Sequence, residues 1–351
     1  MKKRTIKLAV LGLMMTAVLF NCKKDNTDPT TPDQGITDAL KAVTMATVTP
    51  AAPVAVVSTP SSFATSAQAN AVNGALGDIA STGVVPASVT AAATAVSGAV
   101  SASDVAALNS VSASTIASVS NGGAVPADIK AILDKARANP ALAAYLPVFT
   151  FPSVGGVTLN GTRIAGTTTI DKIAGVDAVE KVEKVLVNDA CVATATATFD
   201  GVKTTLDASK ATQTATVLAA YNTALAAVPS SATCTSSVTE KYVATRATVN
   251  AQGTKALADI ENAKAALGSS YDLVKALTNI ALLDALSSIN ALELADKQAC
   301  TSVSAAATAN ALAAKNANQA LVDAAYATAL ASATKLKNDA IASCHNEGGS
   351  N

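Results

Sequence analysis

The feature that most constrains the fold is a long stretch, residues 175–344, that is almost free of helix breakers. It contains one proline, Pro229, and after Gly175 only three glycines. Alanine, the strongest helix former, fills 80 of the 351 positions of the chain, and many of them lie in this stretch. We therefore predict a mainly α fold.

Large apolar residues in this stretch recur every three or four positions, as on one face of a helix. The clearest series is Leu273, Leu277, Ile280, Leu283, Leu286, Ile289 and Leu292. We expect helices near 176–228, 235–267, 271–298 and 304–343. The turns between them are expected at Pro229, at Gly268 and near Thr301 to Ser304. Because short turns make successive helices antiparallel, the prediction is an Ala-rich up-down-up-down four-helix bundle.

Four cysteines fall in the predicted bundle, namely Cys191, Cys234, Cys300 and Cys344. In antiparallel helices, Cys234 comes level with Cys300, and Cys191 comes level with Cys344. These two disulfides are therefore predicted. The alternatives are sequential pairing, which needs a chain reversal where no breaker lies, and four free thiols. Since no CxxC spacing occurs, we predict no metal site.

Two further regions lie between residue 62 and the predicted bundle. In residues 63–147, Gly83-Val-Val-Pro86-Ala is echoed forty residues later by Gly123-Ala-Val-Pro126-Ala. This weak repeat predicts a small region of short helices, each started near a proline. In residues 148–174, the pair Asn160-Gly161 lies between alternating residues and predicts a β-hairpin linker.

The remaining parts of the chain are polar or rich in proline. Residues 22–62 contain many Pro and Thr residues, which predicts an extended tether. A short helix is expected within it at residues 37–48. Residues 345–351 are expected to be a polar tail.

The N-terminal segment has the pattern of an export signal. Basic residues at positions 2, 3, 4 and 7 precede an apolar run from Ile6 to Phe20, and Cys22 follows almost at once. The run is shorter than the ~20 residues that a membrane-spanning helix needs. This segment, residues 1–22, resembles the lipobox of bacterial lipoproteins. An ordinary signal peptide and an uncleaved anchor are the alternatives.

The resemblance implies cleavage of residues 1–21 and acylation of Cys22. It further implies an outer-membrane location, because Lys23 rather than Asp follows the cysteine. Whether the protein would face the periplasm or the cell surface stays open. The expected partner through the lipid is the membrane, and a protein partner is possible.

Charge and motifs exclude several function classes. Removing the four basic residues of the signal from 25 leaves 21 basic against 25 acidic residues. With no basic stripe and few aromatics, no nucleic-acid binding is predicted. The lone histidine, His345, lies in the tail, and no nucleophile motif occurs. We therefore predict no catalytic residue and no cofactor. The acidic residues of the first predicted helix, such as Glu180, Glu183 and Asp207, are expected to be solvated.

One further pattern concerns threonine. Thr194, Thr205 and Thr216 are spaced by eleven residues, as are Thr212 and Thr223. Eleven residues make about three helical turns, so these side chains share a stripe. The stripe resembles the helical ice-binding proteins over about thirty residues, and we keep this as a distant alternative.

Taken from the sequence, the expected function is that of a lipid-anchored, non-enzymatic bacterial envelope protein. Its role would be structural, adhesive or partner-binding. The first alternative is a carrier of a small apolar ligand in the bundle, and the second is an enzyme of unknown chemistry.

Overall fold

The computed structural model describes residues 31–160 and 189–344, and 76% of them are helical. The predicted mainly α class is confirmed. The chain divides into two compact units. Among the described residues, the smaller unit comprises residues 31–47, 189–213 and 322–344, and the larger unit comprises residues 48–160 and 214–321.

The long helices come from the C-terminal half of the chain. They are α8 (Asp189–Ala226), α9 (Ser231–Asn262), the short α10 (Lys264–Leu267) and α11 (Tyr271–Ser343). In the larger unit, α9 runs antiparallel to the first part of α11, as the contacts of Gly253 with Leu282 and of Glu261 with Lys275 show. The chain reverses at Gly268, whose φ of 51° is in the left-handed region. The predicted turn at Gly268 is confirmed.

Helix α11 does not end at the turn predicted near residues 301–304. It continues without a break for 73 residues. The hydroxyl of Thr301 donates to the carbonyl of Lys297 at 3.3 Å, and that of Thr308 donates to Ser304 at 2.9 Å. With no Pro or Gly at this point, Ser and Thr bond back to the preceding turn and leave the helix intact. The third and fourth predicted helices are therefore one helix.

Pro229 interrupts the helices without reversing the chain. Lys315 of α11 lies over the ring of Tyr221 in α8, whereas Cys234 of α9 is bonded to Cys300 of α11. Residues later in α8 and α9 therefore contact residues of α11 that lie progressively closer to Gly268, so the chain keeps one direction past Pro229. The helical bundle is present, but the predicted up-down-up-down order of four helices is wrong, because proline ends a helix but does not by itself impose a hairpin.

Short helices from the N-terminal half complete the larger unit. They are α2 (Ala67–Thr82), α3 (Ala87–Ala99), α4 (Ala102–Asn109), α5 (Ala113–Ser120), α6 (Ala127–Ala138) and α7 (Pro140–Ala143). The forty-residue repeat marks the starts of α3 and α6, since Pro86 and Pro126 are their N-cap residues. The prediction of short helices in residues 63–147 is thus confirmed.

Short antiparallel strands join two distant parts of the larger unit. They are β1 (Ser58–Thr59), β2 (Ser62–Ala64), β3 (Val148–Thr150), β4 (Ser153–Val154) and β5 (Val157–Thr158), with β4 between β1 and β5 in one sheet and β2 paired with β3 in another. The β4–β5 hairpin turns at Gly155 and Gly156, both with positive φ. The prediction did not name this turn, in which a glycine pair adopts positive φ without strain. Gly161 of the predicted Asn160-Gly161 turn lies outside the described residues, so that turn stays a prediction. Residues 161–174 of the predicted linker lie outside the described residues.

A single apolar core joins the short helices to the hairpin. Its buried side chains include Leu76, Ile79, Val89 and Leu108 from the short helices and Leu277, Ile280, Leu283, Leu286 and Ile289 from α11. The predicted separation of residues 63–147 from the helical hairpin as distinct domains is therefore not found.

Two asparagines of α11 fix the register of α4 and α5. The side-chain amide of Asn279 donates to the carbonyl of Leu108 at 3.1 Å, and that of Asn290 donates to Val119 at 2.9 Å. The two asparagines are eleven residues apart, and the two acceptors, Leu108 and Val119, are also eleven residues apart. Helices α4 and α5 therefore form a tandem repeat matched to three turns of α11.

Part of the predicted tether is bound to the helices. Asn318 of α11 exchanges two hydrogen bonds with the backbone of Ala51, at 3.0 and 2.9 Å, and Asn310 donates to the carbonyl of Val54 at 2.8 Å. The tether prediction is therefore wrong for residues 48–62. Proline-rich backbone forms few hydrogen bonds with itself, and here the side-chain amides of α11 bond to it instead. Residues 22–30 lie outside the described residues.

The smaller unit is built on a second antiparallel helix pair. Residues 189–213 of α8 lie against residues 322–343 of α11, joined by Lys210 with Asp323 at 2.9 Å. Helix α1 (Gln34–Lys41), somewhat earlier than the helix predicted at 37–48, packs here with Leu40 buried. Gln213 donates to the carbonyl of Ala46 at 3.1 Å.

Candidate functional site: disulfides and buried ion pairs

Both predicted disulfides are present. Cys191 is bonded to Cys344 with 5.9 Å between Cα atoms, and Cys234 is bonded to Cys300 with 5.7 Å between them. The pairs match the prediction although two of the predicted turns are absent, because the members of each pair are nearly equidistant in sequence from the turn at Gly268. The sequential alternative is excluded.

Cys22 and His345 lie outside the described residues. In the ranges 31–160 and 189–344, no group of three or more His, Cys, Asp or Glu residues is placed to hold a metal ion. In those ranges, too, no single helix is long and apolar enough to cross a membrane. The pair α2 and α3, bent by 115°, meets that criterion jointly by length and composition.

The first buried ion pair connects α6 to α11. The guanidinium of Arg137 donates to both carboxylate oxygens of Asp284, at 2.8 and 2.7 Å, and to the hydroxyl of Ser288 at 2.7 Å. It also lies 4.7 Å from the ring centre of Phe149. Burial raises the pKa of Asp284 to about 6, although Arg137 opposes that rise.

A second cluster surrounds Asp296 of α11. Its Oδ2 accepts hydrogen bonds from Tyr242 at 2.8 Å, from Ser61 at 2.7 Å and from Lys241 at 3.2 Å. Burial, with the bond to Asp296, raises the pKa of Tyr242 well above its ordinary value. Tyr242 therefore remains a protonated donor at physiological pH, and the cluster holds the β1–β2 connection against α9 and α11.

The third cluster lies one turn away on the same helices. Glu293 accepts hydrogen bonds from Arg246 and from Lys297, the latter at 2.6 Å. Arg246 also donates to Asn290 at 3.2 Å. Burial alone would raise the pKa of Glu293, but the hydrogen bonds from the two cations outweigh it and lower that pKa. The carboxylate is therefore ionised and held between α9 and α11.

All three arrangements connect elements of the larger unit. Each of Asp284, Glu293 and Asp296 accepts hydrogen bonds from its own cation, and each set of bonds joins at least two elements of the larger unit. None of the three lines the apolar cavity between α2, α9 and α11, which is bounded by residues such as Val72, Val249 and Leu282.

That cavity is also small for a ligand site. Its volume is about 60 Å³, whereas pockets for small molecules typically hold about 300–1,000 Å³. Gly253 lies at its wall, where an added Cβ would stand 2.7 Å from both methyl groups of Leu282. The close approach of α9 to α11 narrows this seam.

Sequence reasoning missed these ion pairs. It expected Asp207 to be solvated, and Asp207 is indeed exposed, bonded to Lys203 at 2.6 Å and to Tyr326 at 2.5 Å. Glu180 and Glu183 lie outside the described residues. A usable signal is the position of Asp284 within a strongly apolar stretch, Ile280 to Leu286, where a charge is expected to be partly buried and so needs a partner.

Comparisons with known protein families, with curated proteins and with solved structures find no match for this chain.

Proposed function

We propose that this protein is a lipid-anchored component of the bacterial cell envelope, held at the outer membrane through Cys22. The observation that carries the proposal is the pair of interhelical disulfides, which fits an oxidising compartment outside the cytoplasm. The lipobox-like segment ending at Cys22 supports the same location.

We further propose that its work is structural, adhesive or partner-binding and non-enzymatic. Two facing stretches of the larger unit support a protein partner, residues 214–239 and residues 298–321. They carry one charged residue, Lys315, whereas charged residues make up 14% of the chain. Leu312 and Leu218 are 42% and 48% exposed there. A partner covering this uncharged surface would desolvate few charges, which lowers the cost of binding.

The anchor is tested by intact mass and detergent partitioning of the protein from bacterial membranes. We expect acyl chains on Cys22 and recovery in the detergent phase, with Cys22→Ala released or unprocessed. An unmodified N-terminus beyond residue 22 would overturn the anchor.

The surface role is tested by photo-crosslinking in intact cells. A crosslinker at Leu312 or at Leu218 is expected to give a discrete adduct, and Leu312→Lys should weaken the adduct formed from position 218. The matched control position is Lys130, on an exposed face of α6. Equal adducts at Lys130 and Leu312 would contradict a specific partner surface.

A further inference from the structure

We infer that the smaller unit meets the lipid bilayer with one particular end, formed by Asp33, Ser343 and the Cys191–Cys344 disulfide. This inference rests on the proposed acylation of Cys22 and adds to it the face of the protein that lies next to the membrane. The partner is a lipid surface, and the proposed acyl chain on Cys22 holds this end of the protein next to it.

The chain enters the smaller unit at this end and is fixed there. The backbone N–H of Asp33 donates to the hydroxyl of Ser343 at 3.0 Å, and the Asp33 side chain caps α1 by accepting from Ile36 at 3.0 Å. Thr37 and Leu40 of α1 are buried. Cys344, next to Ser343, ties the same end to α8.

From this end the chain runs toward the opposite end of the smaller unit. Helix α1 leads to Ala46, whose carbonyl accepts from Gln213. Gln213 is 22 residues along α8 from Cys191, which at 1.5 Å per residue is about 33 Å. The two ends of the smaller unit are therefore well separated, and the chain enters at one of them.

The chain between the anchor and this end is short. Eleven peptide steps join Cys22 to Asp33. At full extension they span at most about 40 Å, so this end cannot lie farther than that from Cys22. The end near Ser343 is therefore held near the bilayer, whereas the end near Gln213 lies farther off on average. Lys23 and Lys24 add attraction to anionic headgroups.

Energy transfer from tryptophan to dansyl-labelled lipid headgroups tests this orientation. The chain contains no tryptophan, so each variant reports one position. The full-length lipidated protein is placed on vesicles of phosphatidylethanolamine and phosphatidylglycerol. Ala342→Trp and Gln34→Trp report the proposed end, and Ala208→Trp on α8 is the control. All three positions are exposed.

We expect several-fold higher transfer from positions 342 and 34 than from position 208. A flexible Gly-Ser segment inserted between Asn26 and Thr27 should lower transfer from the first two positions without affecting flotation with the vesicles. Equal or greater transfer from position 208, with flotation intact, overturns the orientation and leaves the anchor standing. Loss of flotation in the unaltered protein overturns the anchor itself, and the orientation with it.

Discussion

At the scale of single residues, the arginines of the described ranges pair with carboxylates that are largely buried. The chain has four arginines, and Arg137 and Arg246 are the two within the described ranges. Both bind a carboxylate in the larger unit, Asp284 and Glu293 respectively. A planar guanidinium can bond both carboxylate oxygens and stack on a ring, as Arg137 does on Phe149, whereas lysine offers a single point of charge.

Removing Arg137 should therefore be costly. Arg137→Ala leaves the Asp284 carboxylate buried without its cation, and we expect a loss of roughly 3 kcal/mol in unfolding free energy, the low end for a buried pair, because the Arg137 side chain is 35% exposed. The control is Lys130→Ala, which removes an exposed i,i+4 pair with Asp134 and should cost less than about 0.5 kcal/mol. Urea unfolding measures both. Equal losses would show that Arg137 is not a connector.

The raised pKa of Asp284 predicts a pH dependence of stability. Between about pH 4 and 6 the folded chain binds a proton that the unfolded chain has lost, so the contribution of Asp284 to unfolding free energy falls as pH rises. The contribution of Asp284 to the unfolding free energy is most unfavourable above pH 6 and vanishes below about pH 4. Relative to Asp284→Asn, the wild type should lose up to ~3 kcal/mol between pH 4 and 7.

Unfolding curves of both proteins across that range measure the difference. Comparing with Asp284→Asn cancels the titration of other carboxylates, such as Glu261, whose pKa is lowered. A constant difference between the two proteins would contradict a raised pKa for Asp284.

At the scale of elements, α11 keeps one side buried along its length through an eleven-residue period. Cys300, Ala311, Val322 and Ala333 are all buried, and Cys344 continues the series. Eleven residues in three turns give 3.67 residues per turn, close to the 3.6 of a straight helix. A nearly straight helix can therefore stay paired over many turns.

The same period accounts for the spacing of the threonines on α8. Thr194 and Thr205 are exposed, and their hydroxyls donate to the carbonyls of Ala190 and Gly201 at 3.0 and 3.1 Å. The buried residues Ala195, Leu206 and Val217 of α8 follow the same period. The eleven-residue repeat is therefore the spacing of the buried residues of α8. Thr194 and Thr205 share that spacing because each directly precedes a buried residue.

A proline substitution distinguishes a continuous α11 from the turn first expected near residue 302. Ser302→Pro removes a helical N–H bond and clashes with the preceding turn, so we expect a loss of ~3 kcal/mol or more. Ser302→Ala, the control, should be neutral or slightly stabilising. Thermal unfolding followed by circular dichroism measures both. Tolerance of proline at this position would indicate that a turn exists there.

At the scale of the whole molecule, the disulfides close long loops, with 153 and 66 residues between the bonded cysteines. In the chain-entropy model each is worth about 4–5 kcal/mol. We expect Cys234→Ala with Cys300→Ala, or Cys191→Ala with Cys344→Ala, to lower stability by a few kcal/mol in urea. Non-reducing peptide mapping of the unaltered protein should recover the two bonds. A peptide joining Cys191 to Cys234 would contradict the fold.

The shared core predicts that the long helices cannot stand alone. A fragment of residues 175–344 would expose Leu283, Leu286 and Ile289, which the short helices cover in the whole chain. We expect it to aggregate or to bind a hydrophobic dye, whereas the chain from residue 31 to 344 should not. A monomeric, stably folded fragment would show that the core is not shared.

The sequence by itself determined the helical class, the reversal at Gly268 and the cysteine pairs. Each of these depends on local backbone preference or on distance along the chain, which are readable from residue types and counts. Alanine and the spacing of leucines fix helices, and a glycine in a left-handed conformation fixes the turn.

Only the tertiary structure decided whether Pro229 and Thr301 reverse the chain, and whether Asp284 and Asp296 are buried. A break or a hydroxyl-rich turn permits several directions, and packing against a distant segment selects one. Here α8 and α9 contact α11 on both sides of Thr301, through Tyr221 with Lys315 and Cys234 with Cys300, and these contacts accompany one continuous α11. The cations that pair with Asp284 and Asp296 come from residues far away in sequence, which no local pattern reveals.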